Sequence, residues 1–199
     1  MVATAERGLE GINPVAREQQ PQRWSAAVET ISAILAAHRP SIVFLPHAED
    51  WNKTHIGTHY LVLEALGRHP GMACRVVETE FWGAMDAPNL MVESSAADVA
   101  DLVIALSLHV GEVARNPYHL RLPAWMMDNV RRGAELVGGQ GSAAPRFAFA
   151  TLYRLRRWAD GQLHEVLEGG EVLSSQDDLS KLFPPQRNTD NGSDHSTHR

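Results

Sequence analysis

From residue 47 to residue 59 the chain reads His-Ala-Glu-Asp-Trp-Asn-Lys-Thr-His-Ile-Gly-Thr-His, so His47, Glu49, Asp50, Asn52, His55 and His59 crowd into thirteen positions. Imidazole nitrogens and a carboxylate are the ordinary ligands of a catalytic zinc, which keeps one position open for water. His55 and His59 are four apart, so on a helix they share one face and point toward one spot. The same residues also have plainer readings. A loop histidine is usually solvated, an i,i+4 pair of histidines arises by chance, and Asp50 and Asn52 are suited to turn hydrogen bonds. Spacing alone leaves metal site and solvated loop both open. A metallopeptidase is disfavoured by position: its helical pair needs Glu directly after the first His, and Ile56 stands there.

The elements that must position this segment are legible around it. Pro21 suits a helix opening, because its missing N–H is not needed in the first turn. Trp24, Val28, Ile31 and Leu35 then recur at helical spacing, which predicts a helix ending near His38, before Pro40. Ser41 to Leu45 is a short apolar run with β-branched residues, the pattern of a strand buried on both faces, and Pro46 ends it. Thr54 is placed to cap a helix from His55 to about Leu66. The chemistry-bearing loop therefore lies between the carboxyl end of a strand and the start of a helix, where ligands bind in open α/β sheets.

Farther along, Cys74 to Thr79 reads as a second strand and Leu90 to Glu93 as a third. Ser95 with Asp98 resembles a capping box, opening a helix with Val99, Leu102, Val103, Leu106 and Val110 on one face. Another helix runs from near Pro123 to about Val137. Gly138-Gly139-Gln140-Gly141 breaks the chain; it follows a helix rather than a strand, so it reads as a helix-ending loop and not a phosphate loop. Alternation from Phe147 to Arg154 suggests a strand. Trp82, Trp125 and Trp158 read as core residues, and His109 and His119 as structural ones. The order is α/β with at least part of a parallel sheet, thin for that class.

Composition bounds the rest. With 199 residues the chain is long enough for one domain with a real core. Its net charge is −6, with 18 Lys+Arg against 24 Asp+Glu and no strong basic patch, which argues against nucleic acid as a partner. A single cysteine, Cys74, cannot form an internal disulfide and fits a reducing compartment. The first fourteen residues have no apolar run resembling a signal peptide, and no stretch is long enough to span a bilayer. A soluble cytoplasmic protein that does not engage a membrane is the expectation. Residues 1–20 read as a loop, 21–173 as the domain, and 174–199, rich in Ser, Asp and Asn, as a disordered and dispensable tail.

A strand ending in Pro46-His47, a carboxylate at Asp50, and His55 opening a helix that continues through Thr58-His59-Tyr60-Leu61-Val62-Leu63-Glu64-Ala65-Leu66 is similar to the second motif of the PIG-L/LmbE-like zinc-dependent N-deacetylases, which commonly reads Pro-His-Pro-x-Asp-x-His-Pro-Asp-His. The similarity extends more weakly from about Trp24 to Trp158, through Leu106-Ser-Leu-His109 and the segment from Ala143 to Leu155. It implies a Rossmann-like three-layer sandwich with a mostly parallel sheet, here in partial form, lacking its N-terminal strands. It implies Zn2+ as the cofactor and hydrolysis of an N-acyl amide, deacetylation of an N-acetylglucosamine-type conjugate, as the reaction. By correspondence His55 is the metal ligand, Asp50, Asn52 and His47 are the catalytic group, and Trp51 and His59 line the substrate pocket.

Two departures qualify the resemblance. The family's first motif, Ala-His-Pro-Asp-Asp-Glu, which carries two zinc ligands and the general base, is nowhere in this chain. The family's oxyanion-stabilising His is Asn52 here and its Asp is Thr54; Asn can donate a hydrogen bond to an oxyanion but cannot transfer a proton, so an acid would have to be His47 or His59. The alternatives to an active deacetylase are a non-catalytic half or subunit of a split enzyme, dependent on a companion N-terminal segment or on self-association, and a small-molecule binding module that needs no metal. The expectation for the chain alone is weak zinc binding, no turnover, and an open edge on the strand Ile42–Leu45.

Overall fold

The computed structural model describes residues 8–183. Six helices and six strands alternate unevenly along it: α1 (Pro14–Gln19), α2 (Pro21–His38), β1 (Ile42–Pro46), α3 (Lys53–Gly67), β2 (Cys74–Thr79), β3 (Leu90–Ser94), α4 (Ala96–Ser107), α5 (Val110–Arg115), α6 (Tyr118–Leu136), β4 (Phe149–Ala159), β5 (Gln162–Glu165) and β6 (Glu171–Leu173), with a last 3-10 turn at Leu179–Lys181. None of the described helices is long and apolar enough to cross a membrane.

The strands form one mixed sheet in the order β1-β2-β4-β3-β6, with β5 beside the carboxyl-terminal part of β4. β1 and β2 are parallel, as are β3 and β6, while β4 is antiparallel to β2, β3 and β5. Five of the six strands therefore point one way and β4 alone points back, so the sheet is mostly parallel in direction although its longest strand makes antiparallel ladders. The α/β class expected from the element order is present. β1 is the terminal strand of the order, as the expectation of an open edge requires.

Strand register sorts the side chains onto two faces. Val43, Leu45, Cys74, Val76 and Trp158 fall on one face, where they pack with Trp24, Ala27, Val28 and Leu35 of α2 and Leu61, Ala65 and Leu66 of α3. Met91, Ala150 and Leu152 continue that face and meet Val130 of α6. On the other face Ile42, Val77, Leu90, Leu155 and Leu173 form a third cluster, joined by Val166, Leu182 and Phe183. No α-helical residue enters that cluster. The three-layer sandwich implied by the resemblance has helices on both faces; in residues 8–183 the second face is covered by the chain after β5 instead.

Several local expectations hold. β2 spans the residues expected, α2 begins at Pro21 and ends at His38, and its cap Arg39 adopts a left-handed φ of 40° before Pro40. Ser95 and Asp98 make a complete reciprocal capping box for α4. Others shift. The segment 1–20 is not loop throughout: Pro14–Gln19 is a helix capped by Asn13, whose side chain accepts from the Ala16 N–H, while residues 1–7 lie outside the described ones. α3 is capped by Asn52 rather than Thr54. α6 starts at Tyr118 and carries Pro123 inside it, where proline removes one backbone bond that the long amphipathic helix tolerates. Asp160 and Gly161, both at positive φ, make the two-residue hairpin turn between β4 and β5, the backbone that such turns require.

The tail also differs from expectation over its first part. Leu182 and Phe183 are half-buried against the third cluster, and Arg75 Nε donates to the Leu182 carbonyl at 2.8 Å. Leu182 and Phe183 give the end of 174–183 apolar surface to bury, which its overall polarity conceals, while Leu179 stays exposed. Residues 184–199 lie outside the described residues.

Candidate functional site

The site lies at the carboxyl ends of β1 and β2, where the loop after β1 meets the loop after β2. Asp50 is at its centre and is buried, only 3 % exposed. Its Oδ1 accepts from the Asn52 N–H at 2.7 Å, and its Oδ2 accepts from the backbone N–H groups of Trp82 at 3.0 Å and Gly83 at 3.4 Å. Burial works against its charged form, but the N–H donors of Asn52, Trp82 and Gly83 and the His55 ring outweigh that and hold the carboxyl below its usual range.

His47 is also buried, and its Nε2 pairs with the Gly83 carbonyl at 3.0 Å, which requires the Nε2–H tautomer. Gly83 is thus held through both of its backbone polar groups: the Asp50 carboxylate accepts from its N–H and the His47 ring donates to its C=O. The Gly83 backbone also packs closely on the backbone of Asp50 and Trp51. A Cβ at Gly83 would stand 3.1 Å from Asp50 Cα and from Trp51 N, so a side chain there would press the Asp50–Trp51 backbone back by a few tenths of an ångström. This grip fixes the segment Glu80–Gly83 over the β1 loop. Glu80 secures the other side, accepting from Arg132 Nη2 of α6 at 2.8 Å and from the Met85 N–H at 2.6 Å.

Asn52 serves as the N-cap of α3, its side-chain oxygen accepting from the Thr54 N–H at 2.8 Å. That leaves its amide NH2 as a donor for a ligand. His55 stands on the first turn of α3 and is partly exposed. Its ring lies 5.0 Å from that of Phe81, and its Nδ1 is 3.3 Å from Asp50 Oδ1 without making a well-formed hydrogen bond. Trp51 is exposed at the mouth, and Phe81 and Trp82 emerge beside it from the other loop, Trp82 edge-on to Tyr118.

His59 lies deeper. It is one turn below His55 on the same helix face, as the i,i+4 spacing predicts, but its side chain is only 5 % exposed. Its Nδ1 pairs with the Pro46 carbonyl at 3.0 Å and is 3.4 Å from Glu78 Oε1. Glu78 in turn holds Arg156 Nη2 at 2.7 Å. Burial, the largest influence, lowers the His59 pKa below 6.5 and outweighs the raising effects of Glu78 and the Pro46 carbonyl. The ring is therefore neutral near pH 7 and supports the floor of the site rather than lining its mouth.

The structure thus brings together His47, Asp50, Trp51, Asn52 and His55, with His59 beneath them. Glu78, Phe81, Gly83 and Arg156 were not read from the sequence, and Trp82, read there as a core residue, instead stands exposed at the mouth of the site. Glu78 is the last but one residue of β2, and a carboxylate near a strand's carboxyl end is a usable signal; the 80–83 segment carries none beyond its aromatics.

The donor set does not by itself fit a catalytic zinc, which takes about three protein ligands. Among the described residues no group of three or more His, Cys, Asp or Glu side chains is placed to hold a metal ion. His47 Nε2 is committed to a carbonyl, Asp50 to backbone N–H groups, and His59 Nδ1 to Pro46. No family model matches the chain, and neither a curated protein nor a solved structure matches it.

Proposed function

We propose that the β1–α3 loop is one part of a metal-dependent N-acyl amide hydrolase site of the PIG-L/LmbE type, with the remaining ligands supplied by residues other than 8–183. One observation carries this reading. His55 is the histidine of the loop that solvent reaches, and its buried Nδ1 is turned onto the Asp50 carboxylate at 3.3 Å, at the carboxyl end of the terminal strand, so its Nε2 is the nitrogen left to meet a metal. In this reading His55 is the metal-facing residue, the Asn52 amide donates to the amide oxygen of the substrate, and Asp50 and His47 hold the loop that shapes the pocket. Trp51 borders the substrate, a small amide such as an acylated amino-sugar conjugate. The sheet then corresponds to the carboxyl-terminal part of a Rossmann-like three-layer sandwich, whose further strands would extend from β1, and the enzyme works in the cytoplasm.

The test is made on the product of the whole reading frame in which these residues occur and on the 199-residue chain alone. Zinc content and acetate release from an N-acetylglucosamine conjugate are measured for each, with and without His55→Ala. The reading expects zinc and turnover only where further ligands are present, and loss of both, on the order of a hundredfold in rate, in the variant. Full zinc and full rate in His55→Ala would refute it. Binding of the conjugate to the chain with no dependence on metal would favour a binding module.

A further inference from the structure

Strand β4 carries three arginines, and the sheet sorts them onto two faces. Arg154 and Arg156 share the face on which the helices pack, and each meets a carboxylate at 2.7 Å, Arg154 that of Glu165 and Arg156 that of Glu78. Arg157 lies on the other face, directly across from Arg75 of β2 in the antiparallel ladder. Residues so paired stand about 5 Å apart at Cβ, and like charges in that position destabilise a sheet. Burial first, and Arg157 second, press the Arg75 pKa below its ordinary range.

Nothing around the pair answers its charge. Ile42 of β1 is level with Arg75, and His164 of β5 is level with Arg157. Along the strands, the next residues on the same face are Val77, Leu155 and Ala159. None of these is an acid, and among the described residues no ion pair engages either arginine. Arg75 Nε donates to the neutral Leu182 carbonyl at 2.8 Å, which steadies the guanidinium at the rim of the third cluster. Its terminal nitrogens stay without a hydrogen bond among the described residues, and Arg157 is exposed beside it. A like-charged pair, one member of it held in place, is a site for an anion.

We propose that Arg75 and Arg157 form an oxyanion site that takes the dianionic phosphate group of a small molecule. Two guanidiniums carry two unit charges, which a phosphate dianion cancels and a single carboxylate does not. Their planar forks fit phosphate oxygens two at a time. The net charge of −6 works against a long polyanion, and Ile42 and His164 end the row without a second arginine pair for a further phosphate. Arg75 is the second residue of β2, so the pair stands at the strand end away from the proposed hydrolase site and the inference is independent of it.

The experiment measures thermal midpoint and calorimetric binding of the full chain with inorganic phosphate and with glycerol phosphate, up to about 10 mM, against chloride at matched ionic strength. The expected result is saturable binding of phosphate with a rising midpoint, and a weaker effect of acetate. Tighter binding of glycerol phosphate supports the site and names an ester as its source; tighter binding of inorganic phosphate supports it with the free ion as ligand. Arg157→Gln should weaken phosphate about tenfold or more, while Arg154→Gln, on the other face, should bind as wild type does. In chloride alone, Arg157→Gln should unfold no earlier than wild type, because it relieves the like-charge pair. An equal gain from phosphate in wild type and Arg157→Gln would be the general salt effect and overturns the proposal. So does an Arg157→Gln chain that unfolds earlier in chloride, acetate that binds as tightly as phosphate, or a chain that binds anionic vesicles and neither phosphate.

Discussion

Replacing Asp50 with alanine removes the acceptor for three backbone N–H groups, those of Asn52, Trp82 and Gly83. Hydrogen bonds to a charged group contribute about 1.5–3 kcal/mol each, and they do not add fully within one network. The Gly83 N–H is buried, whereas the other two are partly so and regain some water. The expected loss is therefore about 3–5 kcal/mol, the range for breaking one partner out of a buried charged network. For a chain of this length that lowers the thermal midpoint by on the order of 10 °C. Urea unfolding gives the free energy. The emission of Trp51 and Trp82, together with proteolytic cutting within residues 80–89, reports whether the loop has come free. Asp50→Asn keeps one carbonyl oxygen and should lose about half as much.

The pH dependence has a definite sign. The carboxyl of folded Asp50 lies below its ordinary value of 3.8, so its contribution is fully present above pH 3.8 and is lost as pH falls through the lower folded value. The stability gap between wild type and Asp50→Ala should close across that acid window. A variant within about 1 kcal/mol of wild type at neutral pH, with the 80–89 loop still resistant to protease, would refute the grip on Gly83 as the device that holds the site together.

Two further perturbations test neighbouring parts. His59 is held neutral, with a folded pKa below its ordinary 6.5, so the unfolded chain takes up the proton first and stability should fall as pH drops below 6.5; His59→Gln should flatten that slope, and an unchanged slope would show that another group causes it. Removing 174–199 should now lower the thermal midpoint, because Leu182 and Phe183 pack on the sheet and Leu182 accepts from Arg75. Leu182→Ala with Phe183→Ala should reproduce about 1–3 kcal/mol of that loss, and a midpoint equal to wild type would mean that the docking contributes nothing.

What the sequence alone determined is what neighbouring residues decide among themselves. Pro21 and Pro40 bracket α2 because each constrains the backbone beside it. Ser95 and Asp98 cap α4 through bonds that span three positions. β1 and β2 are short β-branched runs ended by proline or polar residues, and the loop from His47 to His55 could be placed at a strand's carboxyl end from order alone. The same local logic missed α1 and β5, although Asn13 as a cap and Asp160-Gly161 as a hairpin turn were there to be read. Only the tertiary structure decided what the loop's residues do. Asp50 and His47 acquire their roles from Gly83, over thirty positions away, and His59 acquires its from Glu78 and Arg156. Those partners meet because β2 lies between β1 and β4 in the sheet, and strand order is set by which apolar faces can be buried together, a property of the whole chain that no single stretch contains.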